Sequence, residues 1–408
     1  MSDLSSRLAA DALIAATQMA GVVRQTPVAD ARWLSEPLGV PVRLKCENFQ
    51  RAGSFKFRGA YTRINRLSAD ERSRGVVAAS AGNHAQGVAL AGAMLDTSVT
   101  VYMPEGASLV KERATRGYGA EVRSFGATVD EAVAEALRYA EKTGAVFVHP
   151  FDHADVVAGQ GSVALEVLEQ VPDAATVVVC CGGGGLLAGM ALVIKNTRAD
   201  IRVVGVQASG ASAYLPSLAS GRPVALTQMS TMADGIAVAC PGELPFQLIA
   251  EHVDEIVTVE EDAIAAALVR LLERNKLVAE PAGAVAVAAL ASGKVDVTGP
   301  VVATVSGGNI DPLLAMRVIR HGMRADGRYL AFTTPIRDAP GSLAQLIGLL
   351  ADLGANVLDV VHERTRATLS VGDVYVAVNV ETRGPEHRAT ILAGLAENGY
   401  VVRDDPTH

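Results

Sequence analysis

Apolar residues in this chain fall into two kinds of stretch. Short continuous runs, several of them β-branched, lie at 75–79, 98–103, 121–125 and 145–148. Between them come longer stretches in which apolar positions recur every three or four residues, at 85–94, 109–117 and 128–142. The last is the most regular, with Val129, Val133, Ala136, Leu137 and Ala140 on one helical face. The alternation resumes further on. Thr176-Val177-Val178-Val179-Cys180 is an unbroken run, as expected of a strand covered on both faces of a parallel sheet. Runs at 201–207, 255–259 and 301–305 predict more strands, and 154–169, 186–196, 262–274 and 281–291 predict the helices between them. Ahead of all this stand a leading helix over 1–20, a short strand at 42–45 and a helix over 56–67. Strands alternating with helices over some 300 residues predict an α/β class with open, mostly parallel sheets.

The pattern changes after 321–328, a polar stretch that reads as a linker. Strands at 329–335, 356–363, 374–380 and 400–403, with helices at 342–353 and 386–398, spell βαββαβ, the ferredoxin-like unit. A chain of 408 residues is long enough for two or three domains, and 50% hydrophobic against 20% charged residues suits large packed cores. The net charge is −8 and no block of Lys and Arg stands out, which argues against nucleic acid or an anionic membrane as partner. The first 20 residues lack the basic-then-apolar order of a signal peptide, and no apolar run reaches the ~18 residues of a membrane span. Cys46, Cys180, Cys181 and Cys240 form no CxxC pair and have no metal-like spacing, so a reduced, cytoplasmic protein is expected.

Chemistry gathers at Ser54-Phe55-Lys56-Phe57-Arg58-Gly59-Ala60. Ser54 reads as a helix N-cap, which sets Lys56 in the first turn, where the helix field disfavours an ammonium. Phe55 and Phe57 are placed to shield the amine, and a lysine that is easily neutralised can form a Schiff base. Lys45, Lys111, Lys142, Lys195, Lys276 and Lys294 read instead as ordinary surface lysines. Three glycine-rich turns follow strands, at 80–84, 182–185 and 306–309, where ligands of open α/β sheets bind. Gly182-Gly183-Gly184-Gly185 is the strongest anion site, because residues without Cβ let the backbone approach a phosphate and the next helix points N–H groups at it. The run does not spell GxGxxG, and no acidic residue follows about 20 positions on in a suitable strand end, so a dinucleotide is disfavoured. A phosphate without a nucleotide, together with a Schiff-base lysine, points to pyridoxal 5'-phosphate.

SFKFRGA (54–60), SAGNHAQG (80–87), GGGGL (182–186), EPAGA (280–284) and SGGN (306–309), in this order, resemble the serine/threonine dehydratase family of pyridoxal-phosphate enzymes over roughly residues 10–320. The resemblance implies the tryptophan-synthase-β-like architecture, fold type II, with two open twisted sheets. The tail, with DAPGSL (338–343) and GANV (354–357), resembles an ACT regulatory domain. The division this implies is a large pyridoxal-phosphate domain of 1–45 and 150–320, a small substrate-binding domain of 46–149, a linker at 321–328 and an ACT domain of 329–408. By the same resemblance Lys56 holds the cofactor and later removes the substrate's Cα proton, Phe55 packs against the ring, and Asn83 hydrogen-bonds the ring hydroxyl. Gly182, Gly183, Gly184, Gly185 and the Leu186 amide hold the phosphate, Ser306 faces the pyridine nitrogen, and Gly235 adds backbone contacts. The turn Ser80, Ala81, Gly82, Asn83 and His84 binds the substrate carboxylate. Glu280 lies near the ring or simply caps the helix that Pro281 opens; His84, His149 and His153 read as structural or solvent-facing side chains.

The implied reaction is elimination of water and ammonia from L-threonine to give 2-oxobutanoate, with L-serine also accepted. Ser306 fits this outcome, because a hydroxyl does not stabilise a pyridinium as an aspartate does, and a moderate electron sink favours elimination over a long-lived carbanion. Racemases of this group carry a second serine where this chain has Ala81, and a divalent-metal site whose acidic positions match Gln207 and Ala213 here; neither racemisation nor a metal is expected. A β-replacement enzyme of the cysteine-synthase kind and a non-catalytic amino-acid sensor are the alternatives. Phe57-Arg58 and His84 speak against the first, and intact Lys56, Asn83 and Ser306 against the second. The ACT resemblance implies a homodimer or homotetramer with an effector, isoleucine or valine, near Gly341, Leu343 and Asn356.

Overall fold

The computed structural model describes residues 3–363 and 372–404. Residues 1 and 2 of the expected leading helix, and 364–371 and 405–408 of the expected last domain, lie outside the described residues. The chain divides into two compact units, Met1–Ala315 and Met316–His408.

Two sheets organise the first unit. The larger has six strands in the order Val28–Asp30, Val42–Cys46, Val301–Val305, Thr176–Cys180, Arg202–Ala208 and Glu255–Val259. All its pairings are parallel except that of the first strand. The smaller is wholly parallel, in the order Glu121–Ser124, Val99–Met103, Val76–Ala79 and Val146–Phe147. Every residue of Thr176–Cys180, Val301–Val305, Val76–Ala79 and Val99–Met103 is buried, which is why these strands are continuous apolar runs rather than alternating ones. Helix Val129–Thr143 begins with a capping box in which Thr128 and Glu131 satisfy each other's backbone N–H, and it ends at left-handed Gly144.

Several details differ from expectation. Ser54 is extended (φ −162°), and it bridges to Gly307 as an isolated antiparallel pair. The helix Lys56–Asn65 follows Phe55 and has no side-chain cap. Its start is held from outside instead: the Phe55 N–H donates to the Ser306 carbonyl at 3.2 Å. Helix Asn83–Met94 packs so closely on it that a Cβ at Gly87 would lie 3.2 Å from the Lys56 carbonyl carbon. Short elements without a long periodic signal add to the expected set: strand Val28–Asp30 and helices Arg32–Leu38, Tyr214–Ser220 and Glu243–His252.

In the second unit, strands Tyr329–Arg337, Asn356–Glu363, Asp373–Glu381 and Arg403–Asp404 and helices Ser342–Asp352 and Pro385–Glu397 follow the order βαββαβ. The sheet is antiparallel, with Asp373–Glu381 and Tyr329–Arg337 inside and Asn356–Glu363 at one edge. Leu346, Leu350, Ile391 and Leu395 of the helices and Val376, Val378 and Phe332 of the sheet form its core. The stretch expected as a linker at 321–328 is helical up to residue 325, as part of Pro312–Ala325.

Candidate active site

Strand ends of both sheets meet at one cleft. Val76–Ala79 runs into the 80–84 turn, Thr176–Cys180 into the tetraglycine, and Val301–Val305 into Ser306. Lys56 reaches between them. Its Nζ donates to the Pro150 carbonyl at 3.0 Å and lies 5.2 Å from the centre of the Phe55 ring. Burial pushes its pKa down to about 8, against the opposing charges of Cys180 and Glu280. Phe57, expected to help shield this amine, turns the other way. It is fully buried in the core under the smaller sheet, 5.8 Å from the Tyr61 ring.

The cradle for a phosphate is built from glycine contacts. Gly184 has φ +99°, and a Cβ there would strike the Tyr214 hydroxyl. At Gly183 a Cβ would strike the Phe151 ring, and at Gly182 it would lie 2.9 Å from Ile236. Protein therefore fills the Cβ side of the loop, which only glycine leaves free of clashes. Helix Gly185–Thr197 starts here with Gly185 and Leu186 buried, and the first N–H groups of a helix have no partner inside it. A phosphate supplies that acceptor. The Ser54 hydroxyl, two residues before Lys56, is buried and without a hydrogen-bond partner in the protein, an orphaned polar group beside the cleft. The residues fit pyridoxal 5'-phosphate.

Glu280 does not use its side chain as a helix cap, although it occupies the N-cap position of helix Pro281–Ala291. It accepts instead from Asn83 Nδ2 at 2.5 Å, and burial, with repulsion from Asp234, raises its pKa to about 7. Asn83 Oδ1 accepts from Asn309 Nδ2 at 2.9 Å, and Asn309 also donates to the Ala52 carbonyl at 2.6 Å. A polar chain thus joins Glu280, Asn83 and Asn309 to the loop before Lys56. Ser306 is buried, and the Cys180 thiol beside it is pushed up to about 11 by burial. Gly235 is exposed, in the short helical turn Asp234–Ile236.

Within the 80–84 turn the Gly82 N–H donates to Ser80 Oγ at 3.1 Å. The His84 ring is buried against the Val148 carbonyl at 2.8 Å, and burial lowers its pKa to about 3, so a neutral ring braces the turn from behind. His149 is structural too. Its Nδ1 accepts from the Asp152 N–H at 2.7 Å and shapes the loop that carries Pro150 and Phe151. Gln207 is buried and uses its amide on backbone, donating to Cys181 and accepting from the Tyr214 N–H at 2.9 Å. Ala213 is buried.

Three lysines expected at the surface are buried or largely covered: Lys45, Lys111, and Lys195, whose side chain is 16% exposed and pairs with Asp254. Lys45 has a fully buried side chain and pairs with Glu166 at 2.5 Å. It belongs to a network in which Arg58, also fully buried, makes a two-pronged bond to Glu47 and a third to Glu166. Lys111 has a side chain only 12% exposed and pairs with Asp234 at 2.6 Å across the cleft. Asn309, in the SGGN turn, carries a sequence signal; Lys111 and Asp234 carry none beyond their charge.

The pyridoxal-phosphate dependent enzyme family model matches residues 19–307. The chain belongs to the pyridoxal-phosphate dependent enzymes. Its similarity to individual members is high. An L-threonine ammonia-lyase of Thermotoga maritima is 47% identical over 383 residues, covering 94% of this chain and 95% of that protein. The solved structure of processed threonine deaminase isoform 2 from Solanum lycopersicum superposes with a TM-score of 0.75 at 37% identity, covering 79% of this chain and 94% of that one. Maize serine racemase gives 0.73 at 32% identity, covering 77% and 97%. As in the family at large, the cofactor is pyridoxal 5'-phosphate. Among the described residues no helix is long and apolar enough to cross a membrane, and no cluster of metal-binding side chains is present.

The three effector candidates lie in the second unit. Gly341 has φ +93° and precedes helix Ser342–Asp352, and Leu343 packs partly on that unit's core. Asn356 starts the edge strand and donates to Glu381 at 3.2 Å.

Proposed function

We propose that this protein is a threonine ammonia-lyase, which converts L-threonine to 2-oxobutanoate and ammonia and acts more slowly on L-serine to give pyruvate. The observation that carries the reading is the meeting of the 80–84 turn, the tetraglycine and Ser306 around the half-buried Lys56; the 47% identity to an L-threonine ammonia-lyase supports it. Bound pyridoxal phosphate supplies an electron-withdrawing ring that acidifies the substrate's Cα proton. Lys56 would anchor the cofactor, and its free amine would accept the Cα proton. Burial, which keeps its pKa near 8, suits that task. Gly182–Gly185 and the Leu186 N–H would hold the phosphate, and Phe55, Asn83 and Ser306 would take the ring, its hydroxyl and its nitrogen. Glu280 and Gly235 flank the ring. Ser80 and the backbone of Ala81, Gly82, Asn83 and His84 take the substrate carboxylate. Ala81 offers no proton to the opposite face of Cα, which favours elimination over racemisation.

We infer further that residues 329–408 form an ACT regulatory domain. The βαββαβ order, the left-handed Gly341 at a helix start and Asn356 on an edge strand support this. An exposed edge strand is covered readily by a second copy, so a homodimer or homotetramer binding isoleucine or valine near Gly341, Leu343 and Asn356 follows. Four free cysteines suit a cytoplasmic enzyme.

Purified protein given L-threonine should release 2-oxobutanoate, and borohydride should fix the cofactor on Lys56. Absence of the oxo acid, or full turnover by Lys56→Ala, would sink the assignment. A threonine saturation curve unmoved by isoleucine and by valine would remove the effector reading alone.

A further inference from the structure

The cleft holds a cation that the roles above leave unused. Lys111 sits in the first turn of helix Leu109–Gly117, where the helix's own field opposes positive charge. An ammonium fixed there needs anions, and Asp234 is the one now in contact, accepting from Lys111 Nζ at 2.6 Å. The two partners are unequally solvated, with side chains 12% and 53% exposed. Asp234 can return to water at little cost, whereas the ammonium is held in the cleft. A Cβ built on Gly82 would lie 3.9 Å from Lys111 Nζ, in ordinary contact, so the amine stands beside the 80–84 turn. The helix start is pinned as well: Ser108 Oγ, just before it, donates to Asp311 Oδ2 at 2.9 Å.

We propose that Lys111 is a specificity-determining residue for the substrate's α-carboxylate. Asp234 holds the ammonium ready. A carboxylate docked on the N–H groups of the 80–84 turn then shares its charge, while Asp234 turns to solvent. This rests on the assignment of that turn as the carboxylate site. It explains why a lysine occupies a first-turn position, and it predicts a preference for free amino acids over their amides that backbone N–H groups alone would enforce less strongly.

The full-chain holoenzyme and its Lys111→Gln and Lys111→Arg variants are titrated with L-threonine and with L-threoninamide, followed by cofactor absorbance, and 2-oxobutanoate formation is measured in parallel. Loss of one charge-assisted contact should raise the threonine dissociation constant and KM of Lys111→Gln about 10- to 100-fold, with kcat changed far less. Binding of threoninamide should stay within about twofold of wild type, and Lys111→Arg should restore most of the preference for threonine. Equal weakening of both ligands in Lys111→Gln, or no weakening of either, overturns the proposal. So does a wild-type protein with no preference between them. A wild type that prefers threonine through Lys111 yet forms no oxo acid would support the role of Lys111 and refute the reaction assignment instead.

Discussion

Arg58→Met should be among the most damaging single changes outside the cleft. The guanidinium is fully buried and donates to Glu47 through Nε and Nη2, each at 2.8 Å, and to Glu166 through Nη1 at 2.6 Å. Glu47 is itself fully buried; burial alone would raise its pKa, and Arg58, Lys45 and the Thr26 hydroxyl together outweigh that and hold it below the usual range. Without Arg58, Glu47 keeps the Thr26 hydroxyl at 2.5 Å, and Glu166 keeps Lys45. One carboxylate is then left in the interior without its cation, a change that typically costs about 3–5 kcal/mol. An unfolding entropy of about 2.1 cal/mol/K per residue, over the 315 residues of the first unit, converts this to a fall of roughly 5–8 °C in Tm. The cost should shrink at low pH, where Glu47 takes up a proton. Thermal melts followed by circular dichroism at two pH values test both points. Arg58→Met combined with Glu47→Leu should melt above the single variant, because an apolar pair leaves no charge to desolvate. A loss below about 1 kcal/mol in Arg58→Met, or a double variant no better than the single, would refute the reasoning.

Glu280 has a folded pKa near 7 against an ordinary 4.5, so between those values the folded state binds more protons than the unfolded and stability falls as pH rises. The melting temperature of Glu280→Gln relative to wild type should therefore climb from about pH 5 to about pH 7.5; a flat difference would show that Glu280 is not held protonated. For Lys56, lowered to about 8, the neutral amine appears well below the ordinary lysine range. Cofactor-free protein should react with pyridoxal at a rate that levels off by about pH 9, and a rate still climbing at about pH 10 would contradict the burial argument. Tyr214→Phe removes the bond from the tyrosine hydroxyl to the Gly183 carbonyl, 3.2 Å long, beneath the phosphate loop. Its fluorescence-monitored affinity for pyridoxal phosphate should drop about 3- to 10-fold, and an unchanged affinity would show that the loop holds its shape without it.

The parallel strands are legible in the sequence because each is buried on both faces, and an unbroken β-branched run suits little else in a folded chain. The three strand-end turns can be placed for the same reason. Side-chain partners cannot. Ser54 has the composition of a cap, but a bridge to Gly307, some 250 residues away, pulls it into an extended conformation. Lys45 and Lys111 look like any polar lysine until the fold brings Glu166 and Asp234 to them. Glu280 stands beside a proline that marks a helix start, and only the folded chain shows its carboxylate turned toward Asn83. The end of helix Pro312–Ala325 is hidden in the sequence because His321 and Arg324 read as linker, although Gly322 lies on its buried face.

Around Lys56, local sequence accounts for the outcome but not for its cause. A helix-start field, two phenylalanines and a neighbouring hydroxyl all point to an amine that is easily neutralised. The amine's pKa is indeed lowered, but chiefly through burial in a cleft assembled from distant segments, with Phe57 facing away and Ser54 making no cap. Burial acts in opposite directions on acids and bases, so the same cleft lowers Lys56 to about 8 and raises Glu280 to about 7. The two groups also stabilise each other's charge, so removing the Glu280 carboxylate should lower the Lys56 pKa further. Proton affinity in this site therefore belongs to the cleft as a whole, and a substitution at Glu280 should be read in the titration of Lys56 as well as in its own.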